Sequence, residues 1–211
     1  LWINFSNIQF YFLISFYYCV HMFSFKKKYY FIIESIKDID LKKLKKRKKF
    51  TIIYRNQNNS ENITDILLFR KKCKTKSVKF YVDNNLNLAL KLNSDGVYLS
   101  SHNKALSALH IKKLNFQIMG SAHSHKEVCM KIKQGCGVII LSKLFSVSYN
   151  KKAPFYGVIK FNNLLRSYKN LVPLGGINLS NLNNLSNVDC LGFALMTEIK
   201  KKPAKIIDRL F

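Results

Sequence analysis

The chain has 211 residues, 48% of them apolar, so it could fold as one large domain or two small ones, and no proline- or glycine-rich linker divides it. Its formal charge of +25 would suit a nucleic-acid partner. However, 31 lysines against 5 arginines, alongside abundant Asn, Ile, Phe and Tyr, is the composition of AT-rich codons; with the lysines scattered apart from runs at 42–49 and 70–76, no nucleic-acid partner is expected.

Residues 1–25 carry no Lys, Arg, Asp or Glu and are crowded with aromatics. A signal peptide puts its positive charges before the apolar run, whereas Lys26, Lys27 and Lys28 follow it. Asn4, Ser6, Asn7, Gln9 and Ser15 dilute a membrane helix, and no membrane association is expected. Met22 directly precedes the first regular segment. Residues 1–21 are therefore read as translated upstream sequence, with an apolar leader as the alternative, and 22–211 as the folded domain. Cys19, Cys73, Cys129, Cys136 and Cys190 form no CxxC pair, which predicts reduced thiols in a cytoplasmic protein.

From Tyr29 onward, β-rich runs recur at 29–33, 50–54, 78–82, 96–99, 116–120, 137–141, 171–174 and 190–195. Between them, 61–75 places Ile63, Ile66, Leu67 and Cys73 on one helical face, and 104–113 repeats Leu106, Leu109 and Lys113 at similar spacing. A helix over 124–134 opens on a capping box, Ser124 with Glu127, and closes at Gly135. Strands that read as continuous apolar runs, alternating with helices, predict a parallel sheet covered by helices. Eight such units predict an α/β fold, a single (β/α)₈ TIM barrel, and no G-x-G-x-x-G follows the first strand to favour an open sheet.

In such a barrel the chemistry sits on the loops after the strands, here 55–59, 83–87, 100–103, 121–124, 142–157, 175–178 and 196–198. The sixth is the longest and carries Lys143, Lys151 and Lys152. His123 is the candidate general acid/base, because an imidazole exchanges protons near neutrality. Gly175 and Gly176 leave the backbone free to approach a phosphate. His102, His110 and His125 are read as solvated.

Five pieces then combine: DNNLNLALKLNSDGVYL at 83–99, GSAHSHKE at 120–127, APFYG at 153–157, Gly175-Gly176-Ile177, and Thr197 after the last strand. In order and spacing over 29–200 they resemble the thiamine phosphate synthase/TenI family of TIM barrels. The resemblance implies a protein of thiamine biosynthesis that binds a thiazole phosphate, with Gly175, Gly176 and Thr197 holding the phosphate and Arg55, Ser121, Lys151 and Lys152 contacting substrate. It is compatible with a homo-oligomer. Two activities divide the family. Synthases join a pyrimidine diphosphate to the thiazole phosphate and use Mg²⁺; TenI-like members move protons on a thiazole phosphate carboxylate and need no cofactor.

Against the synthase pattern, Arg55 keeps an arginine, but Ile53 stands for a glutamine and Gln57 near a lysine. Asp83-Asn84 stands for Asn-Asp and Asn103 for a second aspartate, which leaves Asp83 as the one candidate magnesium ligand. Val147-Ser148-Tyr149-Asn150 replaces a diphosphate-gripping run. The expectation is therefore a TenI-like isomerase using His123. A synthase (a transferase) with a drifted diphosphate site is the alternative, and a non-catalytic phosphate-binding barrel a further one.

Overall fold

A computed structural model describes residues 28–44, 47–56, 61–105, 116–190 and 192–196. Eight parallel strands form one sheet: β1 (Lys28–Ile33), β2 (Phe50–Tyr54), β3 (Lys79–Asp83), β4 (Gly96–Leu99), β5 (Gln117–Ala122), β6 (Val138–Ser142), β7 (Leu171–Leu174) and β8 (Gly192–Leu195). Their hydrogen-bonded order is β7-β6-β5-β4-β3-β2-β1-β8. Strands β7 and β8 lie against each other without a ladder, so the sheet curls into a nearly closed barrel.

Both faces of the strands are buried over most of their length, which is why apolar residues follow one another along them rather than alternating with polar ones. On β1, Tyr29, Phe31 and Ile33 pack outward under the surrounding layer, while Tyr30 and Ile32 pack inward. The interior cluster draws on every strand: Tyr30 and Ile32, then Ile53, Tyr81, Tyr98, Met119, Ile140, Val172 and Ala194. That is the stacked filling of a closed barrel rather than the lining of a pore. Tyrosines inside it need partners for their hydroxyls. Tyr81 donates to Gln117 Oε1 at 2.6 Å, and Tyr98 bonds Ser121.

Strands β2, β4 and β7 fall on the predicted bounds. Strands β3, β5 and β6 run one or two residues further, because Asp83, Ser121 and Ser142 pair in register with Tyr98, Ile140 and Leu174. Four residues expected in loops, Asp83, Ser121, Ala122 and Ser142, thus stand on the sheet itself. Strand β1 starts at Lys28 and β8 at Gly192 rather than at 190.

Four α-helices are described: α1 (Ile63–Thr75), α2 (Leu86–Lys91), α3 (His125–Lys133) and α4 (Gly157–Ser167). The predicted inner face of α1 holds for Ile66 and Cys73, which are buried, and is corrected for Ile63 and Leu67, exposed at 39% and 41%; Phe69 and Arg70 are buried in their place. The spacing i, i+3, i+4, i+7 survives with a different membership, because Arg70 finds partners under the helix. Its guanidinium donates twice to the Asn93 carbonyl and lies 3.3 Å from Asp95, whose carboxylate also accepts from the Phe80 N–H at 2.7 Å.

Ser124 caps α3 as expected, accepting from the Glu127 N–H at 3.3 Å, and Gly135 follows the helix in a left-handed conformation at φ +78°. The reciprocal bond differs: the Glu127 carboxylate accepts from the His123 N–H at 2.7 Å, one residue before the cap. Connections after β1 and β7 contain short 3₁₀ turns, including Ile36–Asp38 and Leu182–Asn187. The helix predicted over 104–113 lies outside the described residues from 106 onward. Cys73, Cys129, Cys136 and Cys190 form no disulfide among the described residues, and burial pushes the Cys73 thiol up to about 12. Among the described residues no helix is long and apolar enough to cross a membrane.

Candidate active site

A cavity of about 270 Å³ opens at the C-terminal mouth of the barrel. One wall is the turn after β7, Gly175-Gly176-Ile177-Asn178; another is the loop after β6, which supplies Ser146, Val147, Ser148 and Tyr149. The loop is laid there by main-chain bonds that prolong the sheet. Leu144 N–H donates to the Leu174 carbonyl at 2.8 Å and Phe145 N–H to the Gly175 carbonyl at 3.0 Å. Gly175 and Gly176 adopt φ of +93° and +70°, which glycine accepts at no steric cost.

His123 and Arg55 line the same cavity. His123 stands just past β5, held by its backbone: its N–H goes to Glu127, and its carbonyl accepts from the Tyr156 hydroxyl at 3.2 Å. Among the described residues its ring makes no hydrogen bond, so the imidazole is available to a ligand. Arg55 is fixed through its N–H, which donates to the Ile33 carbonyl at 2.8 Å.

The Arg55 guanidinium does not stand alone. Its Nε lies 3.4 Å from Asp83 Oδ2, a largely buried carboxylate at the end of β3. The separation is long, and among the described residues Arg55 Nε and Asp83 Oδ1 are buried without a hydrogen-bond partner. Burial raises the Asp83 pKa from 3.8 to about 6, against the pull of Arg55 and Lys131. A folded value above the unfolded one means that folding favours the protonated carboxyl. That contribution is complete below about pH 4 and is lost as pH rises through about 6. The loss is worth about 3 kcal/mol. Asp83→Asn should therefore gain stability relative to the native chain as pH rises across that interval, on top of a constant offset for replacing the neutral carboxyl by an amide. Urea unfolding at stepped pH measures the slope, and a pH-independent difference would contradict this account of Asp83.

Beside this pair, Asn84 sits in a left-handed conformation at φ +51°. Its Oδ1 accepts from the Ser100 N–H and from Asn103 Nδ2, both at 3.1 Å, and its Nδ2 donates to Ser100 Oγ at 2.8 Å. The two positions that resemblance assigns to magnesium carboxylates are thus amides bonded to each other. Magnesium requires anionic oxygens in near-octahedral array. Asn84 offers a neutral oxygen already committed to two donors, and Asp83 is turned to Arg55. Among the described residues no three His, Cys, Asp or Glu side chains come together as a metal site. The residues present do not fit a magnesium ion.

The structure therefore gathers His123, Arg55, Gly175 and Gly176 around one cavity, with Asp83 behind Arg55. It puts Ser121 elsewhere, buried and bonded to Tyr98 inside the barrel. Lys151 and Lys152 are exposed in a turn and do not line the cavity. Thr197 lies outside the described residues. Ser146, Asn178 and Met196 lie in the loops where the chemistry is expected and wall the cavity, but sequence reading gave none of them a role of its own, since none carries a chemical signature. It also passed over the fully buried Lys131. A signal for that one existed: a lysine three residues after Val128, on the buried stripe of α3.

A family model described as thiamine monophosphate synthase matches residues 30–199. The thiamine-phosphate synthase of Flavobacterium psychrophilum is 25% identical over 152 residues, covering 67% of this chain and 73% of that protein. Its counterpart in Flavobacterium johnsoniae is 26% identical over 162 residues, covering 73% and 76%. Among solved structures, a thiamine phosphate pyrophosphorylase from Pyrococcus furiosus superposes with a TM-score of 0.65 at 19% identity, covering 90% of this chain and 99% of that one. KGPDC from Streptococcus mutans reaches 0.62 at 10% identity, covering 87% and 95%. Identities this low speak for the barrel alone. With the match running from β1 to beyond β8, the chain belongs to the thiamine monophosphate synthase family, a family of thiamine biosynthesis.

Proposed function

We propose that this protein is a TenI-like isomerase that binds a thiazole phosphate at the mouth of the barrel and shifts a proton on its ring system, with His123 as general acid/base. The observation that carries the reading is the neutralised polar corner: Arg55 faced by Asp83, and Asn84 bonded to Asn103. A diphosphate brings several negative charges and a divalent cation. A corner whose one arginine has an internal carboxylate partner, and whose amides satisfy each other, offers little to either.

The other side of the cavity suits a single phosphate. The Gly175-Gly176 turn presents backbone at close range, and anions are held well by such N–H groups without a fixed positive side chain. With the phosphate there, a ring of thiazole size lies between the turn and His123. The imidazole would take a proton from one ring position and return it at another, so that the double bond moves and no atom is lost. Lining of the cavity by Val147, Leu174, Ile177 and Leu195 limits water around the exchanged proton.

The names of the curated relatives favour a second reading, that of a synthase joining a pyrimidine diphosphate to the thiazole phosphate. One preparation assayed for both reactions separates the two. Isomerisation of the thiazole phosphate carboxylate without added metal is the expected result. Magnesium-dependent formation of thiamine phosphate, with no isomerisation, would replace the proposal by the second reading. A rise in melting temperature with thiazole phosphate but no turnover in either assay would leave a binding protein.

A further inference from the structure

Lys131 is among the most deeply buried side chains of the described barrel, with no solvent exposure at all. A lysine so placed must find acceptors for its head group or lose its charge. It finds three: the Ser100 carbonyl at 2.6 Å, the Asn103 carbonyl at 2.8 Å and Gln134 Oε1 at 2.9 Å. Three acceptors match the three protons of an ammonium, whereas a neutral amine would turn its lone pair on one of them. Gln134, equally buried, completes the arrangement by donating to the carbonyls of Asn103 and Ala105 at 3.1 and 2.9 Å. Two side chains from the end of α3 thereby hold the stretch 100–105 that follows β4.

The stem reaches that position over Gly120. A Cβ at residue 120 would come within 2.8 Å of Lys131 Cδ and of Cys136 Sγ. The glycine that begins the GSAHS run is thus the gap that seats the lysine against β5. Burial pushes the Lys131 pKa below the usual lysine value, and the groups that act the other way, favouring the ammonium, are Cys136, Glu127 and Asp83; the case for the ammonium is the three acceptors placed around Nζ.

We propose that Lys131 is a positioning residue, an internal cation that organises the loop after β4 and sets the Asn103 amide against Asn84, so that this corner is ordered by a resident ammonium and not by a divalent metal ion. Asn103 links the two halves: its carbonyl receives Lys131 and its side chain donates to Asn84. A fixed positive charge one residue's breadth from the amide pair also opposes a second cation there.

The inference does not rest on the isomerase reading, because no turnover enters its test. In the native full-length chain at neutral pH, nitrogen-detected NMR should show one lysine ammonium protected from solvent exchange, and Lys131→Met should remove it. Hydrogen exchange of the 100–105 segment should be unchanged by millimolar magnesium in the native chain. In Lys131→Met, which keeps the apolar stem, that segment should exchange at least about tenfold faster while β1–β3 hold their protection, as expected when charge-assisted bonds to a loop are lost. Absence of a protected ammonium, magnesium-induced protection of 100–105, or unaltered exchange in the variant would each overturn the proposal. Should the variant fail to fold, the two native-chain measurements decide it.

Discussion

His123→Ala is expected to abolish most thiazole phosphate isomerisation, lowering the rate by roughly a hundredfold to ten-thousandfold, the usual worth of a positioned acid/base group. The same substitution should leave the fold intact. Among the described residues, what holds residue 123 is backbone: the N–H to Glu127 and the carbonyl to the Tyr156 hydroxyl persist in alanine. The side chain is exposed, so its removal opens no internal void and the change in unfolding free energy should stay within about 0.5 kcal/mol. Rate and melting temperature, measured on one preparation, therefore separate a chemical role from a structural one. Affinity for the thiazole phosphate should change much less than turnover if, as proposed, the anion is held at the Gly175-Gly176 turn. Equal rates in native and substituted chains would end the assignment of His123.

Gly176→Ala is expected to be the most damaging small substitution at the cavity. Residue 176 sits at φ +70°, and a Cβ there would lie 2.5 Å from the carbonyl oxygens of both Phe145 and Ser146. The obstacle is backbone on each count, so no rotamer change relieves it. A left-handed non-glycine residue plus displacement of a packed loop costs about 3 kcal/mol. For a chain of this size that corresponds to a fall of roughly 6–12 °C in Tm. Gly157→Ala provides the control: φ is similar, +68°, but nothing lies within 4 Å of the added carbon. Its cost should be that of the conformation alone, about 1–2 kcal/mol. Gly176→Ala should also weaken phosphate binding, because Phe145 and Ser146 lead into the loop that walls the cavity. Equal losses at the two glycines would mean that the loop after β6 is not fixed as described.

These expectations depend unequally on sequence and structure. Strands were legible because a parallel barrel buries both faces, so Tyr29–Ile33 is apolar without interruption and Phe50–Tyr54 is broken only by the buried Thr51, a pattern unlike that of an amphipathic surface element. The capped start of α3 was legible because Ser124 and Glu127 act within one turn. Wherever the deciding contact was distant in sequence, reading stopped short. Nothing local distinguishes Leu67 from Phe69 on α1; the choice is made by Asn93 and Asp95, which receive Arg70 from more than twenty positions away. Likewise Ser121 has the look of a substrate ligand at a strand end, and register turns it inward to Tyr98.

By itself the sequence determined the eightfold strand repeat, the family resemblance, and the histidine and glycine pair of the mouth, because each is written in contiguous residues or regular spacing. Only the tertiary structure decided what the polar residues do. Closing the barrel drives Asp83 against Arg55, bonds Asn84 to Asn103, and buries Lys131 beneath their loop. The physical reason is that charge and hydrogen-bond energies depend on separation and burial, and the chain places these groups together only after β2, β3, β4 and β5 have been brought side by side.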